Sequence, residues 1–370
     1  MQASFKSKLT IVLTLKDREA FTRRWMRYMN DQCCPYKILI ADGGADEGIE
    51  SELRNPTNYP NLDYEYIRYP FDNDWKDFYA KQLDVCKRVE TEYLLFADND
   101  DFYLIDKIPD IINFLDENPS YSGCRGSIAH LFLLSAEGAV KSSPTGYTYR
   151  TERHECKSIE SNEFIERAER FFNEAIKYNH WTNWYCILRS KQVSFSLANI
   201  YKYSFPSVVL NEILFNLMIL QHGKVKTMEK LFYIRQSGTS QGGEVLQKNH
   251  NSLESFLIDD AFHCFNKFFQ EENLTEGQSN HIRIIKAFAS YVGIWCHQCT
   301  DQYREISYFR KIKDNVNKII TKNSVISKII LNIYIQFSHL INHSGKRRSI
   351  RTRIIDKYVL DANLHNRSHH

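Results

Sequence analysis

The sequence predicts an α/β fold, a mostly parallel twisted sheet flanked by helices and continued by an all-helical C-terminal extension. Three observations carry this. Apolar runs at Leu9–Leu15, Lys37–Ala41 and Tyr93–Ala97 are continuous rather than alternating, as in strands buried on both faces. Segments of helical spacing separate them, the order that yields a parallel sheet. Beyond about Asn249 no convincing strand follows, so the boundaries are drawn at 1–245 for the sheet domain and 246–370 for the extension.

Taken in order, Leu9–Leu15 ends in the polar loop Lys16-Asp17-Arg18, and Phe21 to Met29 has helical spacing. The second strand closes on Asp42-Gly43-Gly44, where glycines permit a tight turn. Leu62 to Tyr69 alternates between Pro60 and Pro70 and reads as a third strand; Trp75 to Val89 reads as a helix. It leads to Tyr93-Leu94-Leu95-Phe96-Ala97, delivered into Asp98-Asn99-Asp100-Asp101. Further helices are expected at Ile105–Leu115, Ser158–Tyr178 and Val208–Gln221, and further strands at Ser127–Leu134 and Lys230–Ile234. The segment His180 to Arg189 is an aromatic loop passing into a strand, and Arg235 to Gly243 has the composition of a mobile cover.

In open α/β sheets ligands bind beyond the carboxyl ends of the strands, which is where these acids fall. Carboxylates spaced as Asp98-x-Asp100 supply hard oxygen ligands for Mg²⁺ or Mn²⁺, an ion usually completed by water and substrate phosphates. The competing explanation is a polar turn that caps the next helix.

Composition bounds the class. The 370 residues, 43% hydrophobic and 25% charged, suit a folded globular chain of about two domains. No apolar h-region precedes the first strand, and no stretch approaches the ~18 apolar residues that span a bilayer. Nine irregularly spaced cysteines fit a reducing compartment, so a cytoplasmic protein is expected. The net charge of +3 is unevenly shared: Tyr303 to His370 carries 14 Lys/Arg against 4 Asp/Glu, which leaves 34 against 41 in residues 1–302. An apolar stretch at Ile319–Ile341, followed by Lys346-Arg347-Arg348, Arg351 and Arg353, suits the anionic inner face of a plasma membrane, each basic residue adding about 1 kcal/mol. Packing against neighbouring helices or a second subunit explains the same stretch equally well. No nucleic-acid partner is expected.

The order of these motifs resembles the inverting family-2 glycosyltransferases of the GT-A fold, over about Leu9 to Ser240. The opening strand with Asp17 and Arg18, and Ile38-Leu39-Ile40-Ala41-Asp42-Gly43-Gly44, resemble the family's first two strands, whose second ends in an acid that holds the nucleobase. The resemblance gives that role to Asp42, and Asp17 and Arg18 fall with the donor. Ala80-Lys81-Gln82 lies where the family often has Ala-Arg-Asn, which would turn Lys81 to the diphosphate. Tyr93 to Asp101 resembles the metal motif: Asp100 as first metal ligand, Asp98 on ribose or a metal-bound water, Asp101 in support. Asn211-Glu212, eleven residues before Gly223, stands where relatives carry Glu-Asp, so Glu212 is the implied catalytic base. Trp181 and Trp184 fall in the segment that meets sugar and acceptor, and Arg235 would clamp the diphosphate, with Gln236 where relatives often have His.

The resemblance implies an enzyme moving sugar from a nucleoside diphosphate sugar, most simply a UDP-sugar, to a glycan or lipid-linked hydroxyl in surface polysaccharide synthesis. A sugar-phosphate nucleotidyltransferase shares the sheet but needs a Gly-rich loop after the first strand, and Leu15-Lys16-Asp17-Arg18 has no glycine. A non-catalytic carbohydrate-binding protein retaining the fold is the third reading. Cys296-His297-Gln298-Cys299 has no second cysteine pair at zinc spacing, and Cys33-Cys34 has no recognisable base.

Overall fold

The computed structural model describes residues 7–70, 72–134, 148–154, 157–178, 183–206, 208–237, 261–272, 280–288 and 290–291. Trp181, the Cys296–Cys299 cluster, the Ile319–Ile341 stretch and the basic tail lie outside the described residues, as do Gly238 to Gly243 of the expected cover. The chain divides into two compact units, residues 1–132 with 150–291 and residues 133–149 with 292–370; the site below lies in the first.

Three parallel βα steps form the first half: β1 Leu9–Leu15, α1 Glu19–Asp31, β2 Lys37–Asp42, α2 Glu47–Leu53, β3 Tyr64–Arg68, α3 Trp75–Lys87 and β4 Tyr93–Ala97. Short polar side chains start two of these helices. Asp46 accepts from the Ile49 amide at 2.7 Å, and Asp74 accepts from Lys76 and Asp77. The second half adds β5 Phe102–Tyr103, α4 Ile108–Glu117, β6 Tyr121–Leu134, β7 Thr148–His154, α5 Phe164–Tyr178, β8 Ile187–Arg189, α6 Ser190–Tyr203, α7 Val208–His222 and β9 Lys224–Ser237, with α8 Ala261–Glu271 beyond. Among the described residues no helix is long and apolar enough to cross a membrane.

The sheet order is β3-β2-β1-β4-β8-β6-β9-β5, with β7 beside β6. The β1–β2, β1–β4, β2–β3 and β6–β9 pairs are parallel, and β8 runs antiparallel to both its neighbours. The sheet is therefore mixed and mostly parallel, as the apolar runs predict. One face buries Leu9, Ile11, Leu13, Ile38, Ile40, Tyr93 and Leu95 with Trp25, Met26 and Met29 of α1 and Ile111, Ile112 and Leu115 of α4. Behind the other face α3 packs on α6, and α6 on α7.

Several boundaries differ from the sequence expectation, among them the start of β6 at Tyr121 rather than Ser127. The helix expected from Ser158 begins at Phe164, because Ile159 instead bridges Val225 with a 2.8 Å hydrogen bond. The strand expected at Lys230–Ile234 is the 14-residue β9, which pairs with β6 from Lys224 opposite Tyr121 to Ser237 opposite Phe132.

Candidate active site

Strand β4 is buried along its whole length and releases the chain into the turn 98–101. Asn99 pins this turn to α1, donating to the Thr22 hydroxyl at 3.0 Å. Carboxylate oxygens of Asp98, Asp100 and Asp101 lie within 4.8 Å of one another. Each acid meets a different element: Asp98 accepts from the Tyr185 hydroxyl at 2.9 Å, and Asp100 from the Arg18 guanidinium at 3.0 Å. Asp101 accepts from the Gln236 amide at 2.8 Å and from the Tyr233 hydroxyl.

Clustering has an electrostatic cost. Burial, then the neighbouring carboxylates, push Asp101 up to about 8, and burial with the charge of Asp100 also raises Asp98. A bound cation reverses that logic by favouring the ionised acids. An all-oxygen donor set with mutual repulsion fits Mg²⁺ or Mn²⁺.

The loop after β1 borders the same edge. Asp17 and Arg18 both adopt left-handed backbone, φ 57° and 64°, a strained choice for two consecutive non-glycine residues. The strain lets the Arg18 carbonyl cap α1 by accepting from Phe21 and Thr22, while its guanidinium turns to Asp100. Asp17 accepts from the Ala45 amide at 2.9 Å, and a Cβ on Gly44 would stand 2.5 Å from the Asp17 nitrogen. Asp42 is buried at the end of β2. Its Oδ1 accepts from the Gly44 amide at 2.8 Å, and its Oδ2 from the Tyr66 hydroxyl at 2.7 Å and Arg68 at 3.2 Å. Asp17, Glu19, Asp42, Gly44 and Asp46 line a small cleft over the ends of β1 and β2.

Lys81 is turned inward. With 3% of its surface exposed, it donates to the Leu15 carbonyl at 2.9 Å and to Asp72, behind the β1 end. Burial lowers its pKa and Asp72 opposes that shift.

Glu212 is the one carboxylate in α7, a helix otherwise apolar or amide-bearing up to Gln221 and, Glu212 aside, buried from Val208 to Leu220. Its carboxyl is pushed up to about 7 by burial, opposed by the positive charge of Arg235 and reinforced by the negative charge of Asp98. The Arg235 guanidinium lies 5.5 Å over the Tyr185 ring, and Tyr185 stacks on Tyr233 at 4.7 Å. Trp184 packs its ring on Phe96 at 4.1 Å and edge-on to Phe215. That stacking packs the half-buried Trp184 against the core, with at least one face covered.

Tyr185, Tyr233, Tyr66 and Arg24 were not singled out by the sequence. Tyr233 carried a signal: it lies two residues before Arg235 on a strand and so shares its face. Arg24 donates to the Gln236 side chain at 2.7 Å and the Asp100 carbonyl at 3.0 Å.

A mixed, mostly parallel sheet flanked by helices is a GT-A-like α/β fold, which the chain shares with solved structures. The crystal structure of S. aureus TarS 1-349 matches at a TM-score of 0.56 and 11% identity, covering 92% of each chain. The same protein in complex with UDP-GlcNAc matches at 0.57 and 12%, again over 92% of each, and full-length TarS matches at 0.54 with 55% of its length covered. No protein-family model and no curated protein sequence matches the chain.

Proposed function

We propose that this chain is a metal-dependent inverting glycosyltransferase that moves a sugar from a nucleoside diphosphate sugar to a hydroxyl of a glycan or glycolipid. The observation that carries the reading is the cluster of Asp98, Asp100 and Asp101 at the carboxyl end of β4, with the charges of Asp98 and Arg235 both felt by Glu212. A UDP-sugar is the simplest donor; TarS, similar in fold, has been crystallised with UDP-GlcNAc.

In this reading the Glu212 carboxylate takes the proton of the acceptor hydroxyl as its oxygen forms a bond to the anomeric carbon. The bond from that carbon to the diphosphate breaks on the opposite face, so configuration inverts. Asp98, Asp100 and Asp101 would hold Mn²⁺ or Mg²⁺, and such an ion would supply positive charge against the diphosphate leaving group. Arg235, fixed over Tyr185, supplies a further positive charge at that end. The cleft at Asp17 and Asp42 takes the nucleoside, with Asp42 Oδ1, bonded to one amide, as the acceptor for a base N–H. Lys81, paired with Asp72, acts from behind the β1 end and holds the loop that Arg18 leaves. Trp181 and Trp184 remain the proposed sugar or acceptor platform. The basic segment after Tyr303 is proposed to bring the enzyme to a lipid-linked acceptor at the cytoplasmic face of a membrane, in surface polysaccharide synthesis, or to a second copy of the chain.

Hydrolysis of nucleotide sugars, measured with and without Mn²⁺, tests this. Turnover of one donor that needs Mn²⁺ and vanishes in Asp100→Ala is expected. No turnover of any donor, and no thermal shift with UDP, GDP or CDP plus Mn²⁺, would overturn it.

A further inference from the structure

The described residues hold a closed hydrogen-bond ring two of whose members, Arg24 and Gln236, have no part in the proposed chemistry. Arg24, on α1, donates through one nitrogen to the Gln236 side-chain oxygen at 2.7 Å and through another to the Asp100 carbonyl at 3.0 Å. The Gln236 backbone amide donates to Asp101 Oδ1 at 2.8 Å, and the Tyr233 hydroxyl takes the other oxygen. Arg24, the 100–101 peptide, the Asp101 side chain and Gln236 thus return to Arg24. The guanidinium is held from the side by Phe21 at 4.9 Å and Phe102 at 4.8 Å to the ring centroids.

This arrangement constrains the acidic turn specifically. The Asp100 carbonyl belongs to the rigid plane shared with the Asp101 amide, so fixing it fixes both Cα atoms from which the two side chains spring. Arginine only donates, so the Gln236 amide must present oxygen to it, which sets that side chain's orientation. Arg24 also lays positive charge beside Asp100 and Asp101 while spending its two hydrogen bonds on a carbonyl and an amide oxygen. A lysine cannot span both acceptors in this planar way.

We propose that Arg24 is a positioning residue that, through Gln236, clasps the turn 98–101 to the end of β9 and so sets the turn's affinity for its divalent cation. The proposal rests on the reading of Asp98, Asp100 and Asp101 as the metal site. Positioning groups behind metal ligands typically change metal affinity 10- to 100-fold.

The test is Mn²⁺ titration of the full chain, with Mn²⁺ alone and with UDP, following the signal of unbound Mn²⁺ by electron paramagnetic resonance. Arg24→Met and Gln236→Leu are each expected to weaken Mn²⁺ binding about 10- to 100-fold. The double variant should lose no more than the worse single one, because both remove the same ring. Arg24→Lys should fall between Arg24→Met and the unmodified protein. UDP binding without metal should be unchanged in all of them, which separates a lost clasp from general damage. If Arg24→Met does not fold, Gln236→Leu and Arg24→Lys carry the test. Folded variants that bind Mn²⁺ like the unmodified protein, or single losses that multiply in the double variant, overturn the clasp while leaving the metal site standing. Failure of the unmodified protein to bind Mn²⁺ overturns the metal-site reading itself, and the clasp with it.

Discussion

The Tyr185 hydroxyl donates to Asp98 across the junction of two strands, 2.9 Å from oxygen to oxygen. The contact follows from strand direction. β8 runs antiparallel to β4 with Ile187 opposite Leu95, so the residues entering β8 sit beside those leaving β4. A donor there stabilises the ionised acid against burial and the charge of Asp100. Tyr185→Phe is therefore expected to weaken Mn²⁺ binding roughly 10-fold with the ring stack on Tyr233 intact, measured by Mn²⁺ titration.

Glu212 gives a pH dependence with a definite sign. A general base works when deprotonated, and burial raises this carboxyl to about 7, so kcat should rise as pH increases through about 7 and level off above it. Glu212→Gln should abolish that rise together with the activity. Stability moves the other way. A carboxyl whose folded pKa exceeds its unfolded value stabilises the fold below the unfolded value and loses that contribution as pH rises through the folded one. Glu212→Gln should thus melt higher than the unmodified protein at pH 8, with the difference closing by pH 5.

Asp42 binds three donors with two oxygens. Asp42→Ala strips the Gly44 amide, the Tyr66 hydroxyl and Arg68 of their partner, and each hydrogen bond to a charged group is worth about 1.5–3 kcal/mol. Urea unfolding should show a loss of at least that size, and metal-free UDP binding should weaken in the same variant.

Lys81 and Asp72 form a pair with 3% and 1% of their side chains exposed. Lys81→Met alone leaves a buried unpaired carboxylate and is expected to cost about 3–5 kcal/mol in urea unfolding. The double variant with Asp72→Leu should recover most of the loss. If Lys81→Met unfolds like the unmodified protein, the pair is not the anchor described here.

The strands that bear the acids were legible because burial on both faces writes itself into contiguous sequence: Ile38–Asp42 and Tyr93–Asp98 announce a core strand and its polar end together. Glu212 stood out through the resemblance, as Asn211-Glu212 eleven residues before Gly223, and the fold sets it in the first half of the apolar helix α7. What supports the acids was hidden by distance along the chain. Arg24 meets Gln236 across 212 positions, and Tyr185 meets Asp98 across 87, so neither pairing exists until the strand order does. Lys81 and Trp184 show the complementary limit. Their residue types suited a phosphate and a sugar, while Asp72 and Phe96, which engage them in the fold, carry no local mark of doing so. Helix α6 also went unread, since SKQVSFSLANIYKY mixes small polar and aromatic residues without a strong period.

Gly43 has a consequence for how this chain can change through descent. A Cβ there would overlap the Asp72 carboxylate, and Asp72 is the partner of buried Lys81. A side chain at 43 requires a smaller residue at 72, and that in turn strands the ammonium at 81. The three positions form one heritable unit, expected to be retained together or replaced together in descendants that keep this turn.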